Sequence, residues 1–199
     1  MKKFFKEWWS LFAFALFVLI FRFFILSPVL VDGHSMDPTL ADGQRMIMSK
    51  VSKIHRFNII VSIESDKKII KRVIGLPGDT VSFYKDKLTI NGKKYSESYL
   101  DEYKKLWKKN KLKTTYSYSS AFQEVAKKAA AFTMNANEES EFTIKVPLKH
   151  YLLLGDNRLV SKDGRDPSVG VVPEDDIQGV TKFTFWPPSR IGFVKKVSD

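Results

Sequence analysis

The chain contains 199 residues, carries a formal net charge of +11 and lacks cysteine. Its length allows one compact domain and an accessory segment, and the missing cysteines exclude disulfides, thiolate metal sites and a cysteine nucleophile. The three histidines stand singly, without a second metal ligand at helical or hairpin spacing, so we expect neither a metal site nor a cofactor.

The N-terminus predicts a membrane anchor. Residues 8–31 are almost entirely apolar, and about 20 such residues span a bilayer as a helix. We expect this helix to run from residue 8 to Ser27, with Pro28 ending it and Arg22 snorkelling toward the outer interface. Lysines within residues 1–7 and aspartates after residue 31 predict a cytoplasmic N-terminus and an extracytoplasmic domain. No small-x-small site follows the run, which favours an uncleaved anchor over a cleaved signal peptide.

The rest of the chain predicts a mainly β domain, because short runs rich in Ile, Val and Phe alternate with turn signals. The expected strands are 45–51, 57–64, 68–74, 80–84, 87–90, 93–95, 141–146, 151–154 and 179–186. Asn91-Gly92 predicts a hairpin between two of these strands. We expect the catalytic core to consist of residues 32–98 and 141–199.

Residues 99–140 differ from the core in being polar and rich in lysine. One helix is expected there, from Ser120 to about Phe132, because Ser120 and Gln123 have the spacing of a capping box. We interpret the segment as an insertion or cap. Its run of lysines from Lys104 to Lys113 matches no nucleic-acid-binding module, so we expect a solvated surface and no nucleic-acid partner.

Three segments carry candidate chemistry, and each alone has an ordinary structural explanation. The first is G-H-S-M-D-P-T-L at residues 33–40, in which Ser35 follows the anchor. The second is K-R-V-I-G-L-P-G-D at residues 71–79. The third is G-D-N-R-L-V-S-K-D-G-R at residues 155–165, which taken by itself is a surface loop of turn-forming residues.

Lys71 is the most informative residue of the second segment. Strand alternation places it on one face with Ile69 and Val73, so apolar side chains flank it on both sides. A half-exposed strand lysine is the ordinary interpretation. If the amine is instead desolvated, burial disfavours the ammonium, lowers its pKa and leaves a base that can accept a proton from a serine hydroxyl.

Together, and in this order after an apolar N-terminus, the three segments resemble the type I signal peptidases of the single-span, Gram-positive kind. The resemblance implies a signal-peptidase or repressor-type β catalytic domain with one N-terminal transmembrane helix and a small α-containing insertion. It also implies a Ser–Lys dyad serine endopeptidase, with Ser35 as nucleophile and Lys71 as general base. The expected substrates are exported preproteins, whose signal peptides are removed at the outer surface of the lipid bilayer.

The same resemblance suggests roles for further residues. Ser161 would hydrogen-bond the Lys71 amine, and Met36 would help to form the wall of the substrate site. The remaining expected contributors are Asp163 paired with Arg165, Asp156 paired with Arg72, and Gly33 in the substrate site. Gly33 stands where some members carry Ser or Thr, so an oxyanion must be bound by backbone donors, with the Ser35 N–H as one candidate.

Two more departures concern the third segment. The family's D-S-R is D-G-R here, and residues 166–169 lengthen the stretch before Gly170. A different class of function stays open, a catalytically idle relative that assists the assembly of surface proteins. A self-cleaving regulator of the repressor type and an anchored scaffold for wall polymer are further alternatives, but the first lacks a DNA-binding module.

Overall fold

The structure is a computed structural model that describes residues 2–64, 66–112, 119–195 and 197. In the N-terminal helix it describes the side chains of residues 8–19 only. Arg22 and the lysines of residues 1–7, on which the predicted topology depends, therefore lie outside the described side chains. Lys113, at the end of the lysine run, lies outside the described residues.

The N-terminal helix is shorter at its end than predicted. Helix α1 spans Lys2–Phe24, and strand β1 follows at Leu26–Leu30. The expectations that the helix continues to Ser27 and the anchor to residue 31 are therefore wrong. Pro28 favours an extended residue before it, and β1 lies at a sheet edge, where the missing N–H of proline is tolerated. Within the part of the chain that the structure describes, no helix has the length and apolarity needed to cross a membrane.

The rest of the chain is mainly β, which confirms the predicted class. The strands are β2 Arg45–Ser49, β3 Ile59–Glu64, β4 Lys67–Gly75, β5 Thr80–Tyr84, β6 Lys87–Ile90, β7 Lys93–Tyr95, β8 Glu141–Lys145, β9 His150–Leu154, β10 Val172–Pro173, β11 Ile177–Trp186 and β12 Gly192–Phe193. The larger sheet has the order β1-β2-β11-β3-β4-β9-β10, with β12 also paired to β11. The smaller sheet has the order β7-β6-β5-β8. Neighbouring strands within both sheets are antiparallel.

The two sheets meet where β4 leads into β5. Gly75 lies at this junction, and a Cβ there would stand 2.7 Å from Val146 Cγ2 and 3.0 Å from Val81 Cγ2. Only a residue without a side chain allows the sheets to approach this closely. A buried cluster fills the space between them, formed by Phe57, Ile74, Val81, Phe83, Leu88, Ile90, Val146, Leu152 and Leu154.

The segment that joins β7 to β8 contains two helices among the described residues. Only one of them was predicted from the sequence. Helix α2 spans Asp101–Lys108 and α3 spans Ser120–Lys128. The expected extension of α3 to Phe132 is wrong. Its N-cap is Ser119, whose hydroxyl accepts a hydrogen bond from the Phe122 N–H at 3.3 Å. The helices share a small core of Leu100, Tyr103, Leu112, Phe122, Ala126 and Phe132, which also receives Leu159.

Candidate active site

Ser35 lies in the loop that joins β1 to β2. Gly33 has a φ of +84°, a left-handed conformation that glycine adopts without strain. Its N–H donates to Asp42 Oδ1 at 2.8 Å, and the Leu40 N–H donates to the Met36 carbonyl at 3.0 Å. The loop is therefore tied back on itself, and it leaves Ser35 partly exposed.

Lys71 is a buried lysine near the middle of β4. Its side chain is on the face of β4 that also carries the fully buried Val73, and the residue is 6% exposed. Burial lowers the pKa of its amine, and the nearby carboxylates of Asp163 and Glu64 raise that pKa again in part. Lys71 forms no ion pair with any residue that the structure describes. These are the conditions under which a lysine can serve as a base.

Gly155 brings the Ser35 loop and the third segment together beside Lys71. Arg72 pairs with Leu154 across the sheet, so Gly155 follows at the register position of Lys71. A Cβ on Gly155 would lie 2.5 Å from the Ser35 carbonyl oxygen and 2.1 Å from Ser161 Oγ. These distances show that the main chain of Ser35 and the hydroxyl of Ser161 both lie against the Gly155 backbone.

The hydroxyl groups of the site make few hydrogen bonds. Among the described residues, no hydrogen bond joins Ser35 to Lys71, and the buried Ser161 Oγ has no hydrogen-bond partner. The expected hydrogen bond from Ser161 to Lys71 is therefore absent from this structure. Ser161 lies close enough to Asp163 to help lower the pKa of that carboxyl, although its Oγ forms no hydrogen bond of regular geometry there.

Asp163 and Arg165 form a buried pair below these hydroxyls. Arg165 Nε donates to Asp163 Oδ1 at 2.8 Å and Nη2 donates to Oδ2 at 2.9 Å. Asp163 Oδ2 also accepts from the Gly155 N–H at 2.9 Å. Burial acts to raise the pKa of the Asp163 carboxyl, but the charge and hydrogen bonds of Arg165 outweigh it and lower that pKa. The carboxylate is thus fixed against Gly155.

Gly164, the departure from the family's D-S-R, fits the packing of this loop. A Cβ at residue 164 would stand 2.6 Å from Leu152 Cδ1 and 3.1 Å from the Leu153 carbonyl oxygen. The Gly164 N–H donates to that same carbonyl at 3.0 Å. The glycine therefore lets the loop lie directly on β9 between Asp163 and Arg165.

Arg72 and Asp156 form a second buried pair, on the other face of β4. Arg72 Nε donates to Asp156 Oδ1 at 2.8 Å and Nη2 donates to Oδ2 at 2.6 Å. The Thr39 hydroxyl donates to Asp156 Oδ2 at 2.5 Å. Because Thr39 belongs to the Ser35 loop, this pair ties that loop to β4 and to the third segment.

Two predicted contributors to a substrate site are placed differently. Met36 is 1% exposed and packs in the core with Leu40, Met46 and Ile70, so it offers almost no surface to a substrate. The Gly33 N–H is already bound to Asp42 and is not a free donor. The burial of Met36 gives no support to its expected wall role, which stays a prediction, and Gly33 shapes the loop.

The sequence analysis assigned no role to Asn157, although it lies within the quoted G-D-N-R motif. Its N–H donates to the Ser35 carbonyl at 3.0 Å and its Nδ2 donates to the His34 carbonyl at 3.0 Å. Both bonds hold the Ser35 loop against the third segment. The G-D-N-R motif was the only signal in the sequence for such a role, and in the structure the Asn157 Nδ2 is hydrogen-bonded whereas its buried Oδ1 has no partner among the described residues.

Comparison with known proteins identifies similar sequences over most of the chain. The sequence profile of the family described as signal peptidase, peptidase S26, matches residues 5–186. A Streptococcus pneumoniae strain R6 protein named Signal peptidase I is 48% identical over 201 residues, which cover 96% of this chain and 97% of the relative. A Staphylococcus aureus strain MRSA252 protein named Signal peptidase IB is 36% identical over 200 residues, with coverage of 97% and 95%.

A crystal structure of a signal peptidase I from Enterococcus faecalis V583 is also similar, with 31% identity and a TM-score of 0.48. It matches 65% of this chain and 97% of the crystallised chain. The profile match and the two relatives each extend over more than nine tenths of the sequence. The chain therefore belongs to the signal peptidase family, peptidase S26.

Proposed function

We propose that this protein is a serine endopeptidase that removes N-terminal signal peptides from exported preproteins, with Ser35 as nucleophile and Lys71 as general base. The observation that carries the proposal is the buried, unpaired amine of Lys71 on the strand beside the Ser35 loop. A serine hydroxyl is a weak nucleophile until a neighbouring base accepts its proton. A desolvated lysine is such a base, and Ser–Lys pairs are a known variant of triad chemistry.

The reaction proceeds in two halves. Ser35 Oγ attacks the scissile carbonyl while its proton passes to Lys71 Nζ, and the resulting ammonium then donates that proton to the departing amine. An acyl-enzyme ester on Ser35 remains. Water next attacks this ester, again giving up a proton to Lys71, and releases the carboxylate product with the free serine. Contacts between a base and its nucleophile commonly shorten when a substrate binds, so the missing Ser35–Lys71 hydrogen bond is compatible with this sequence.

The Ser35 N–H is our candidate donor for the oxyanion. It donates to no acceptor among the residues that the structure describes, whereas the Gly33 N–H is occupied by Asp42. A free backbone donor at the nucleophile itself is suited to stabilise the negative charge of the tetrahedral intermediate.

A substrate strand fits beside the first half of β4. Residues 67–71 pair with β3 on one side, and β9 accompanies β4 only from Arg72 onward. The other edge of residues 67–70 has no strand partner within the described part of the chain, and Gly155 follows opposite Lys71. We propose that an extended preprotein segment pairs with this edge, which brings its scissile bond between Lys71 and Ser35.

We also propose that α1 holds the enzyme at a lipid bilayer, with the N-terminus in the cytoplasm and the catalytic domain outside. The described side chains of α1 expose large apolar groups around the whole helix: Trp8, Trp9, Leu11, Phe12, Phe14, Leu16, Phe17, Val18 and Leu19. A helix that is apolar on all sides needs a protein core or lipid around it. Trp186 and Leu30 are two further exposed apolar residues, on either side of Arg45 at one end of the large sheet.

One experiment tests the activity. The purified protein is incubated with a preprotein that has a small-x-small cleavage site, in parallel with Ser35→Ala and Lys71→Met variants. We expect wild type alone to release the mature protein with the N-terminus that follows this site. An uncleaved preprotein, despite a folded enzyme, would favour the idle assembly factor. Flotation with liposomes tests the lipid proposal by comparing the full chain with a variant that lacks residues 2–24. We expect only the full chain to float with the liposomes, and the proposal is wrong if both proteins sediment alike.

A further inference from the structure

The mechanism above assigns no task to Glu97, one of several buried acids. This residue lies at the start of the insertion, just ahead of residues 99–140, and its carboxylate is almost completely buried. Its Oε1 accepts from Arg158 Nη2 at 2.5 Å and from the Tyr99 hydroxyl at 2.9 Å. Lys104 Nζ lies 3.9 Å from Oε2. A buried carboxylate is maintained only when such partners compensate its desolvation, so these contacts fix its position.

Arg158 connects Glu97 to the site by binding both Glu97 and the Gly155 carbonyl. Its guanidinium is buried, and while Nη2 binds Glu97, Nε donates to the Gly155 carbonyl at 2.8 Å. The planar guanidinium holds both partners in a fixed relative geometry. Gly155 is the residue against which the Ser35 carbonyl and the Ser161 hydroxyl lie. A rigid connection thus runs from the start of the insertion to the backbone between the two serines.

We propose that Glu97 is a positioning residue for the Ser35–Lys71 site, acting through Arg158 and the Gly155 carbonyl. The inference rests on the proposed function and assigns the start of the insertion a part in it. Without the Glu97 carboxylate, the Arg158 guanidinium loses its only counter-charge among the described ion pairs, and its outer end keeps only the Tyr99 hydroxyl at 3.3 Å and the Phe83 ring. The hydrogen bond from Arg158 to the Gly155 carbonyl then no longer fixes the position of Gly155, and the packing that excludes water from Lys71 loosens.

The far end of the insertion supports the same view. Arg165 Nη1, which belongs to the pair that fixes Asp163, donates to the Met134 carbonyl at 3.0 Å. Leu159, from the loop that contains Ser161, packs into the core of the insertion beside Phe132. Both ends of residues 97–134 therefore contact the loop of residues 155–165 beside the site. An insertion that served only as a solvated surface would not make these contacts.

The test compares Glu97→Gln and Glu97→Asp with Glu102→Gln in the full chain, using a preprotein and its cleavage kinetics. Glu102 is a matched control because it is an exposed glutamate on the neighbouring α2. We expect Glu97→Gln to lower kcat at least about tenfold with little change in KM, because misplaced catalytic groups slow the chemical step. Glu97→Asp keeps the charge and recovers part of the rate, and Glu102→Gln behaves as wild type.

The pH profile separates positioning from simple loss of folded protein. The charged groups that act on Lys71 are Asp163, Glu64, Arg165 and Asp156, and Glu97→Gln alters none of them. Water that enters the loosened site raises the Lys71 pKa, so the acidic limb of kcat against pH shifts upward. Fewer folded molecules would lower the rate at every pH and leave the limb in place.

If Glu97→Gln is too unstable to purify, the double variant Glu97→Gln, Arg158→Met removes both buried charges and is expected to show the same loss of kcat. The proposal is overturned if either variant keeps the wild-type kcat and the wild-type acidic limb of the pH–rate profile. It is also overturned if the loss of rate is explained entirely by a smaller fraction of folded enzyme. If wild type itself fails to cleave, the proposed function fails first, which the Glu97 variants cannot mimic.

Discussion

The substitution Gly155→Ala tests the geometry of the site most directly. The added Cβ would lie 2.5 Å from the Ser35 carbonyl oxygen, 2.5 Å from Ser161 Cβ and 2.1 Å from Ser161 Oγ. Because real Cβ atoms essentially never approach closer than 3.0 Å, the Ser35 backbone must withdraw by about 0.5 Å. Rotation of the Ser161 hydroxyl relieves the closest contact but leaves those with Ser161 Cβ and Ser35.

Catalysis depends steeply on such a displacement. A misplacement of about 1 Å costs on the order of 10²-fold in rate, so we expect kcat of Gly155→Ala to fall by about 10- to 100-fold. The assay is single-turnover cleavage of a preprotein, corrected for the active fraction. Gly75→Ala is the matched control, since its Cβ meets Val146 Cγ2 at 2.7 Å in the core between the sheets.

Both alanine variants are overpacked, and both are expected to lose about 1–3 kcal/mol of stability. Only Gly155→Ala acts on the nucleophile loop, so the folded Gly75→Ala protein should keep the wild-type kcat. The reasoning is refuted if Gly155→Ala retains wild-type kcat, or if the two variants lose rate in proportion to their stability. Either result would mean that the position of Ser35 does not depend on the Gly155 backbone.

Three further predictions concern the buried charges. The rate of acylation should rise with pH through an apparent pKa below the ordinary lysine value of 10.5, because burial lowers the Lys71 pKa. Stopped-flow cleavage at a series of pH values measures this, and a rate that rises only at or above pH 10.5 contradicts the prediction. Lys71→Met should raise the melting temperature, more at pH 6 than near pH 10, because the depressed pKa makes folding of the protonated lysine unfavourable; this cost is complete below the folded pKa and declines as pH rises from there toward the unfolded value of 10.5. Asp156→Asn should destabilise the protein by about 3–5 kcal/mol in urea unfolding, since it leaves Arg72 buried without its counter-charge, and an unchanged midpoint would contradict the pairing.

The sequence was informative wherever the cause of a structure is local. Alternation along β4 predicted that Lys71 shares a face with Val73; both residues are buried in the structure, which the alternation had left open for Lys71. The Asn91-Gly92 turn joins β6 to β7, as its residue types predicted. These features depend on neighbours within a few positions, which a single sequence displays.

Other features depend on distant partners and could not be predicted. Glu97 and Arg158 are 61 residues apart, and nothing near either one indicates the pairing. Helix α2 was missed because its lysines resemble a solvated run, whereas its formation is favoured by Tyr103 packing on Phe132 and by acids in its first turn. The end of α1 was misplaced because β1 continues the apolar run, and only pairing with β2 distinguishes the strand from more helix.

The state of Lys71 depends on which partner Asp163 has, and Arg165 decides this. Asp163 is the carboxylate with the largest effect toward a charged Lys71, and Arg165 acts in the opposite direction. Because both Asp163 oxygens accept hydrogen bonds from Arg165, the carboxylate is turned away from a direct ion pair with the amine.

Arg165→Gln should therefore release Asp163 to bind the Lys71 ammonium. The Lys71 pKa then rises, because the opposing charge of Arg165 is lost and that of Asp163 remains. We expect the acidic limb of the pH–rate profile to move upward and the rate near neutral pH to fall, with recovery at alkaline pH. The double variant Arg165→Gln, Asp163→Asn is the control, since it removes both charges and should bring the limb back down. If the single variant loses rate equally at every pH, Arg165 acts on the shape of the loop rather than on the protonation of Lys71.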